Sequence, residues 1–418
     1  MRPFKRKRGT WHARRLHMVR PPADAVDAPC PVFGLCGGCI LQELPLERQQ
    51  AERQAMAQRL VEAELSLEGV TVHPVRGPSV PYGYRNKVEL SFGVRRYLSE
   101  ADHADGLPVD GRFLGFHAPG RFDRVVDADA CLLAAPLMNQ ALGIVRAHAL
   151  SPDAPVPWDS RAHTGFWRHL RIRHGVRTEQ VLVGLYTASP GEGDEAHVAR
   201  LAEALLAEPA VVGVQWCIND GVADVARGEV RQTWGRDWLE ERLGRITYRL
   251  SLDAFFQTNT AAAEVLYDTI GEALGESSGH LLDLYCGTGA IGLYLSDRFE
   301  RVTGIEEVAS AVEDARANAA RNGVEGTWRQ AKVEAVLDEL PTDARVVVDP
   351  PRAGLHPKVA RRLARSPGDV LVYVACNSAS LGRDGAILAE GGWRLTDLWT
   401  VDLFPQTGHV ELVGRFVR

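Results

Sequence analysis

No apolar run in the 418-residue sequence approaches the roughly 18 residues that a membrane-crossing helix needs, which excludes a helical membrane protein. The N-terminus is basic but lacks the apolar core of a signal peptide, which predicts a cytoplasmic protein. Internal repeats and long low-complexity segments are also missing, so neither a repeat array nor a long disordered tract is expected. Cysteines number only seven, at 30, 36, 39, 131, 217, 286 and 376. In a cytoplasmic chain their clustering favours metal binding or catalysis over disulfides. Acids are absent from residues 1–20, which hold eight of the 48 Lys and Arg, leaving 40 bases against 54 acids in the remainder. Acids are also absent between Arg161 and Arg177, where Arg161, Arg168, Arg171, Arg173 and Arg177 stand among Phe166, Trp167 and His169. Arg171, Arg173 and Arg177 share the parity of one strand face. A basic arm and a basic strand on an acidic body predict a localised phosphate-binding footprint.

The length suggests two or three domains. Residues 1–28 read as a basic arm and linker. Residues 29–240 read as a central, mainly β domain: a Gly-rich cysteine knot (Cys30 to Cys39), an amphipathic helix over 44–67, then short alternating strands broken by Gly and Pro. Helices are predicted over 134–149 and 195–207. Residues 245–418 change register to strand–helix alternation, with strands predicted at 280–285, 302–306, 345–348, 370–375, 401–403 and 410–416. The near-continuous apolar runs at 345–348 and 370–375 predict parallel strands covered on both faces, hence a doubly wound, Rossmann-like α/β domain.

Four segments carry the chemistry. Asp283-Leu284-Tyr285-Cys286-Gly287-Thr288-Gly289 is a strand entering a glycine turn, where Gly287 and Gly289 let a ligand approach the backbone. It is not the dinucleotide pattern G-x-G-x-x-G. Glu306 ends the next predicted strand, where an acid accepts hydrogen bonds from ribose hydroxyls. Asp349-Pro350-Pro351-Arg352 stiffens the carboxyl end of another strand. Cys376 ends a buried strand and Glu411 follows, a pairing that suits a thiolate nucleophile and a proton-abstracting base. A thiol titrates near 8.5 unless its site intervenes, so a positive or helix-terminal environment is expected around Cys376. Phe255-Phe256-Gln257-Thr258-Asn259 offers an amide able to pair with a uracil edge and an aromatic ring to stack on it. Its competing reading is a helix cap at Thr258 or Asn259 beside two core phenylalanines. Cys30-x5-Cys36-x2-Cys39 with Cys131 supplies four thiolates, enough for a [4Fe-4S] cluster or a structural zinc.

In order and spacing these segments resemble the RNA uracil-5-methyltransferase family, from about Cys30 to the C-terminus. The resemblance implies S-adenosylmethionine as methyl donor, Cys376 as nucleophile and Glu411 as base. It implies cofactor-site roles for Gln257, Asp283, Tyr285, Gly287, Gly289, Glu306 and Asp349, with Tyr285 beside the cofactor and Asp283 behind it. Cys30, Cys36, Cys39 and Cys131 match the ligands of the family's [4Fe-4S]-bearing members. Large-subunit ribosomal RNA is then the expected substrate and transfer RNA the alternative, the chain acting as a monomer without a membrane partner. Arg85 and Lys87, in Tyr84-Arg85-Asn86-Lys87, would serve phosphates. Ala290 stands where some relatives carry Asn, and Lys332 where an adenine-binding Asp or Asn is common. Relatives often begin with a small RNA-binding β-barrel; the 29 residues before Cys30 are too few for one. An amino-group methyltransferase and an inactive RNA-binding relative are the competing classes. Arg352 after Asp-Pro-Pro argues against the first, and intact Cys376 and Glu411 against the second.

Overall fold

The computed structural model describes residues 2–7, 10–14, 21–78, 80–276, 279–339, 341 and 343–418. Arg2–Lys7 and Thr10–Arg14 pair as an antiparallel hairpin. The side chains of the basic arm, residues 1–20, lie outside what is described.

Two large sheets follow. The first has seven strands in the order Glu229–Gly235, Val211–Ile218, Gln180–Thr187, Trp167–Gly175, Lys87–Arg95, Asp110–His117 and Val125–Asp127. Helices Pro136–Ala149 and Asp194–Leu206 bury Met138, Leu142, Val145, Val198 and Leu201 against one face. The hairpin Trp238–Leu243/Ile246–Ser251 puts Leu239, Leu243 and Leu250 in the core that lies beneath Leu182 and Tyr186 on the other.

That cover overturns the phosphate-binding role expected of the basic strand. Arg168, Arg171 and Arg173 are buried on a central strand and committed inward. Arg168 donates to the carbonyls of Asn219 (2.5 Å) and Gly221 (2.7 Å) and lies over the Trp158 ring. Arg171 bonds Glu89, Asp253 and the Ala226 carbonyl. Arg173 donates to the carbonyls of Ser251 (2.7 Å) and Ala254 (2.6 Å). Buried guanidinium groups are tolerated when most of their donors are satisfied, and here backbone carbonyls and the carboxylates of Glu89 and Asp253 do so, with Arg168 Nε left unpartnered. Arg171 and Arg173 do share a strand face, but that face holds the segment leading into Phe255-Phe256-Gln257.

The second sheet has eight strands in the order Thr327–Gln330, Arg301–Glu306, His280–Leu284, Ala344–Val348, Val370–Ala375, Glu411–Val417, Arg394–Val401 and Thr71–Val72. Pairing is parallel from Thr327 through Ala375, and Glu411–Val417 runs antiparallel to both its neighbours. Strand Val370–Ala375 is buried throughout. Val370, Val372 and Val374 join the core that includes helix Thr260–Leu274, while Leu371, Tyr373 and Ala375 join the core that includes helix Ser378–Glu390. This two-sided cover is the doubly wound arrangement expected from the apolar run.

Helix Leu46–Glu62 buries Gln49, Arg53, Ala57 and Val61, one residue per turn along a single face. Ala57 and Val61 enter the core of the eight-stranded sheet, whereas Gln49 and Arg53 meet residues 402–409. The strand predicted over 401–403 is the end of Arg394–Val401, and the chain leaves the sheet at Asp402, whose carboxylate is held by Arg53. After the glycine turn the chain forms a short helix, Ala290–Tyr294, and a 3₁₀ turn, Ser296–Arg298.

Candidate active site

Sheet register alone assembles most of the site. Leu284 pairs with both Ile305 and Val348, and Val348 with Tyr373. The residues just past those pairs, Glu306, Tyr285 and Asp349, therefore emerge in a row at one edge. Ala375 faces Leu412 in the antiparallel pair, so Cys376, just past its strand, and Glu411, the first residue of the partner strand, stand side by side at that edge. Adjacent strands lie about 4.8 Å apart, which brings these groups within reach of one bound molecule. Ligands bind outside the carboxyl ends of such strands.

A cavity of about 1000 Å³ opens over this edge. Gln257, Tyr285, Gly287, Glu306, Asp349, Cys376 and Glu411 all line it, and it is large enough for a nucleoside cofactor together with a base. Two expected cofactor residues do not reach it. Asp283 is fully buried behind the turn, with Oδ2 accepting from the Gly292 amide (2.9 Å) and Oδ1 without a partner. Gly289 (φ +76°) faces Trp328, where a Cβ would sit 2.9 Å from the indole; its role in the turn is packing as well as conformation. Tyr285 also has positive φ (64°), a strained state for a bulky residue that the glycine turn imposes at the site. Glu306 accepts from the amides of Gly287 (3.1 Å), Glu307 (2.8 Å) and Val308 (2.9 Å), which fixes its carboxylate at the rim. Lys332 is exposed and paired with Glu307 (3.4 Å).

Two loops frame the reaction end. Asn377 donates to the Arg352 carbonyl (3.0 Å), tying the Asp-Pro-Pro-Arg loop to the residue after Cys376. Residues 402–409 bring in Phe404 and His409, which sequence reasoning missed. Their only signal was proximity to Glu411 in the chain. Arg85 reaches the cavity from the first sheet, while Lys87 is held beside Glu89 (3.6 Å). The neighbours of Arg85 are bolts between the sheets. Tyr84 donates to the Pro405 carbonyl (3.0 Å), and Asn86 to the Gln257 carbonyl (2.9 Å) and Thr260 hydroxyl (3.0 Å). The cap-and-core reading of residues 255–259 holds at Asn259 and Phe256, and the same segment also lines the cavity. Asn259 caps helix Thr260–Leu274 by accepting from the Ala262 amide, Phe256 is buried, and Gln257 faces the cavity. Phe255 lines the cavity yet is 67% exposed, an aromatic face with nothing on it.

Electrostatics correct one expectation. The Cys376 thiol is pushed up to about 11 by burial and by the carboxylates of Glu411 and Asp349, and Arg352 only partly opposes them. Burial also raises Asp349 to about 7, and burial with Asp349 raises Glu411 well above the carboxylate range. Burial and the charges of Arg352, Arg85 and Arg53 lower His409, favouring the neutral ring. The free site thus keeps the Cys376 thiol and the Glu411 carboxyl protonated, and a cation entering the cavity would favour ionisation of both. Because only the thiolate is nucleophilic, alkylation of Cys376 in the free protein should accelerate about tenfold per pH unit from pH 7 to about 10. Mass spectrometry of the Cys376 peptide after timed iodoacetamide treatment measures this; a rate that levels off near pH 8.5 contradicts the raised value.

At the knot, Cys39 is pushed up to about 11 by burial, with smaller contributions from Cys131, Cys36 and Cys30. Asn139 clamps the Cys131 backbone through two hydrogen bonds (3.0 and 3.1 Å). Cys39 and Cys131 share a small core with Phe33, Tyr82, Tyr84 and Leu133. Among the described residues, no group of three or more His, Cys, Asp or Glu side chains is arranged to hold a metal ion. No helix among them is long and apolar enough to cross a membrane. Cys217 and Cys286 are buried, as packing residues should be, although Cys286 also borders the cavity.

Comparison with known proteins decides the family. The family model for tRNA (Uracil-5-)-methyltransferase matches residues 222–335. An uncharacterized RNA methyltransferase of Chlorobaculum tepidum is 38% identical, over 99% of this chain and 88% of its own. The tRNA (uracil(54)-C(5))-methyltransferase of Pyrococcus horikoshii is 30% identical, over 97% of this chain and 89% of its own.

The chain belongs to the RNA uracil-5-methyltransferase family.

It is therefore an S-adenosylmethionine-dependent RNA uracil-5-methyltransferase. The crystal structure of the Pyrococcus abyssi tRNA (uracil-54, C5)-methyltransferase in complex with S-adenosyl-L-homocysteine superposes with a TM-score of 0.76 at 27% identity, covering 99% of this chain and 91% of that one.

Proposed function

We propose that this methyltransferase makes 5-methyluridine in structured RNA through a covalent bond between Cys376 and the target uracil. The observation that carries the reading is the placement of Cys376 and Glu411 side by side at the end of one antiparallel strand pair, inside the cavity. Carbon 5 of uracil is a poor nucleophile. Addition of the Cys376 thiolate to carbon 6 breaks the 5,6 double bond and makes carbon 5 the end of an enolate. S-adenosylmethionine, when bound, supplies a methyl group made electrophilic by its sulfonium charge. Glu411 then takes the carbon-5 proton, the double bond re-forms and the sulfur is expelled.

The residues present fit such a cofactor. Gln257, Tyr285, Gly287, Glu306 and Asp349 line the cavity, with Asp283 and Gly289 holding the turn from behind. Glu306, with its carboxylate already oriented, would accept from ribose hydroxyls. Arg85 would meet a phosphate of the target nucleotide. Phe255 would stack on the uracil once that base has left its own stack. Base–aromatic stacking contributes roughly 1–3 kcal/mol, so Phe255→Ala should raise the RNA KM about fivefold or more and leave cofactor affinity unchanged. Titration of each ligand separately checks this; an unchanged RNA KM removes Phe255 from the base site.

The four-cysteine knot would hold a [4Fe-4S] cluster as a structural element. Its support is the family resemblance, the small core shared by Cys39 and Cys131, and the mutual influence of the Cys30, Cys36 and Cys131 thiols on Cys39. Iron and sulfide analysis with visible absorbance of anaerobically purified protein tests it, zinc being the competing outcome.

Large-subunit ribosomal RNA is the target that the cluster-bearing resemblance implies. Transfer RNA is favoured by a different observation, the substrate for which the Pyrococcus relatives are named. Incubating the enzyme with S-adenosylmethionine and each RNA, then digesting to nucleosides, tests function and target together. 5-Methyluridine from one RNA is expected, and that RNA identifies the substrate. A base methylated on an exocyclic nitrogen contradicts the proposal.

A further inference from the structure

Residues 402–409 carry Phe404 and His409 into the cavity and end two residues before Glu411. They form no strand or helix, so their carbonyls need partners from elsewhere. The Phe404 carbonyl accepts from the amide (3.1 Å) and hydroxyl (2.8 Å) of Thr407 within the loop, and the other partners come from outside the methyltransferase sheet. Asn259 donates to the Leu403 carbonyl (3.0 Å) and Tyr84 to that of Pro405 (3.0 Å). The amides of Ile40 (2.9 Å) and Leu41 (3.2 Å), directly after Cys39, donate to Gln406. Gln406 has φ +70° and exchanges two hydrogen bonds with Gln49, each 3.0 Å. Gly408 lies so close to the knot that a Cβ there would come 2.9 Å from Ile40 Cδ1.

Arg53 closes the loop at both ends. Its guanidinium, 4% exposed, donates to Asp402 Oδ1 (2.8 Å) and Oδ2 (2.6 Å) where the chain leaves the sheet. The same group donates to the carbonyls of Phe404 (3.1 Å) and His409 (3.0 Å), the latter where the chain returns towards Glu411. Nε is anchored on the Gln49 carbonyl (3.2 Å), and Gln50 supports Asp402 from the same helix (3.2 Å). A planar fork with five donors can span four acceptors on two sides of a loop; a lysine ammonium in the same place cannot. A buried pair of this kind gives little net stability for its desolvation cost and is better explained by the geometry it fixes.

We infer that Arg53, braced by Gln49 and by the backbone after Cys39, is a positioning residue for proton abstraction: it sets the loop that delivers Glu411 and His409 to the methylated uracil. The inference rests on Glu411 being the base. Arg53 lines no part of the cavity, so neither RNA nor cofactor binding should depend on it.

The test is Arg53→Lys, which keeps the charge opposite Asp402 but loses the fork. Misplacing a base by about 1 Å costs roughly 10²-fold, so kcat should fall about 10- to 100-fold with both KM values within about twofold. On ordinary uridine RNA a covalent Cys376–RNA complex should accumulate on denaturing gels, because addition proceeds and release does not. That complex is a signature that general loosening of the fold would not produce. Wild-type kcat, or a kcat loss without a trapped complex, overturns the inference. If Arg53→Lys does not fold, Gln49→Ala, which removes the reciprocal pair with Gln406, is judged by the same two outcomes. Glu411→Gln run alongside separates the two readings. Free turnover there sinks the base assignment, whereas a stalled Glu411→Gln beside a freely turning Arg53→Lys sinks only the brace.

Discussion

Cys376→Ala is expected to abolish methylation and the covalent RNA complex together, with a rate loss beyond roughly 10⁴-fold. The removed group is the nucleophile itself, not a helper of it, so the addition step has no substitute. Stability should change little, since the thiol is only half-buried and lies one residue beyond the strand that the core holds. Cofactor affinity should be retained, because Glu306 ends another strand and Tyr285 and Gly287 lie in the turn after His280–Leu284. Methyl transfer assayed with radiolabelled methyl donor, beside a direct measurement of cofactor binding, checks both halves. Methylation that survives the substitution would instead favour an amino-group methyltransferase, for which Cys376 has no task.

Glu411→Gln should stop the reaction at a different point. The amide is nearly isosteric but cannot accept the carbon-5 proton, so addition and methyl transfer proceed once and release fails. Turnover should fall by roughly 10²- to 10⁴-fold while methylated, protein-linked RNA accumulates in a single-turnover amount. The raised carboxyl value works in the same direction: burial and Asp349 make Glu411 a strong proton acceptor once the site ionises it. The sign for wild type follows. Raising pH favours both the thiolate and the carboxylate, so kcat at saturating substrates should climb through neutral pH, not fall. A Glu411→Gln enzyme that turns over freely shows that another group takes the proton.

Much of this site was legible in the sequence because strand ends are legible. Uninterrupted apolar runs such as Val370 to Ala375 mark two-sided parallel strands, and the polar residues that stop them (Asp349, Cys376, Glu306) are held at the sheet edge. What sequence left open was which side chains turn inward. Arg171 and Arg173 have the spacing of an exposed basic face, but a hairpin covers that face, and a contact between segments some 80 residues apart leaves no local signature. Gly289 and Asp283 fit the cofactor motif yet support the turn from behind, since Trp328, far along the chain, fills the space beside them. The environment of Cys376 was read as positive or helix-terminal from the needs of the chemistry; the residue does stand just before Asn377, the N-cap of helix Ser378–Glu390, but Glu411 and Asp349 outweigh Arg352 there. The brace on residues 402–409 could not have been read at all. Gln49 and Arg53 look like the solvent side of a charged helix, and only the fold reveals that this face is buried.

The most direct test of the account uses RNA in which uridine is replaced by 5-fluorouridine. Fluorine cannot leave as a proton, so the step assigned to Glu411 is blocked in the wild-type enzyme. With S-adenosylmethionine present, a heat-stable protein–RNA band that disappears in Cys376→Ala is the predicted result. No band with either ribosomal or transfer RNA, from protein shown to bind S-adenosylmethionine, would contradict the covalent mechanism.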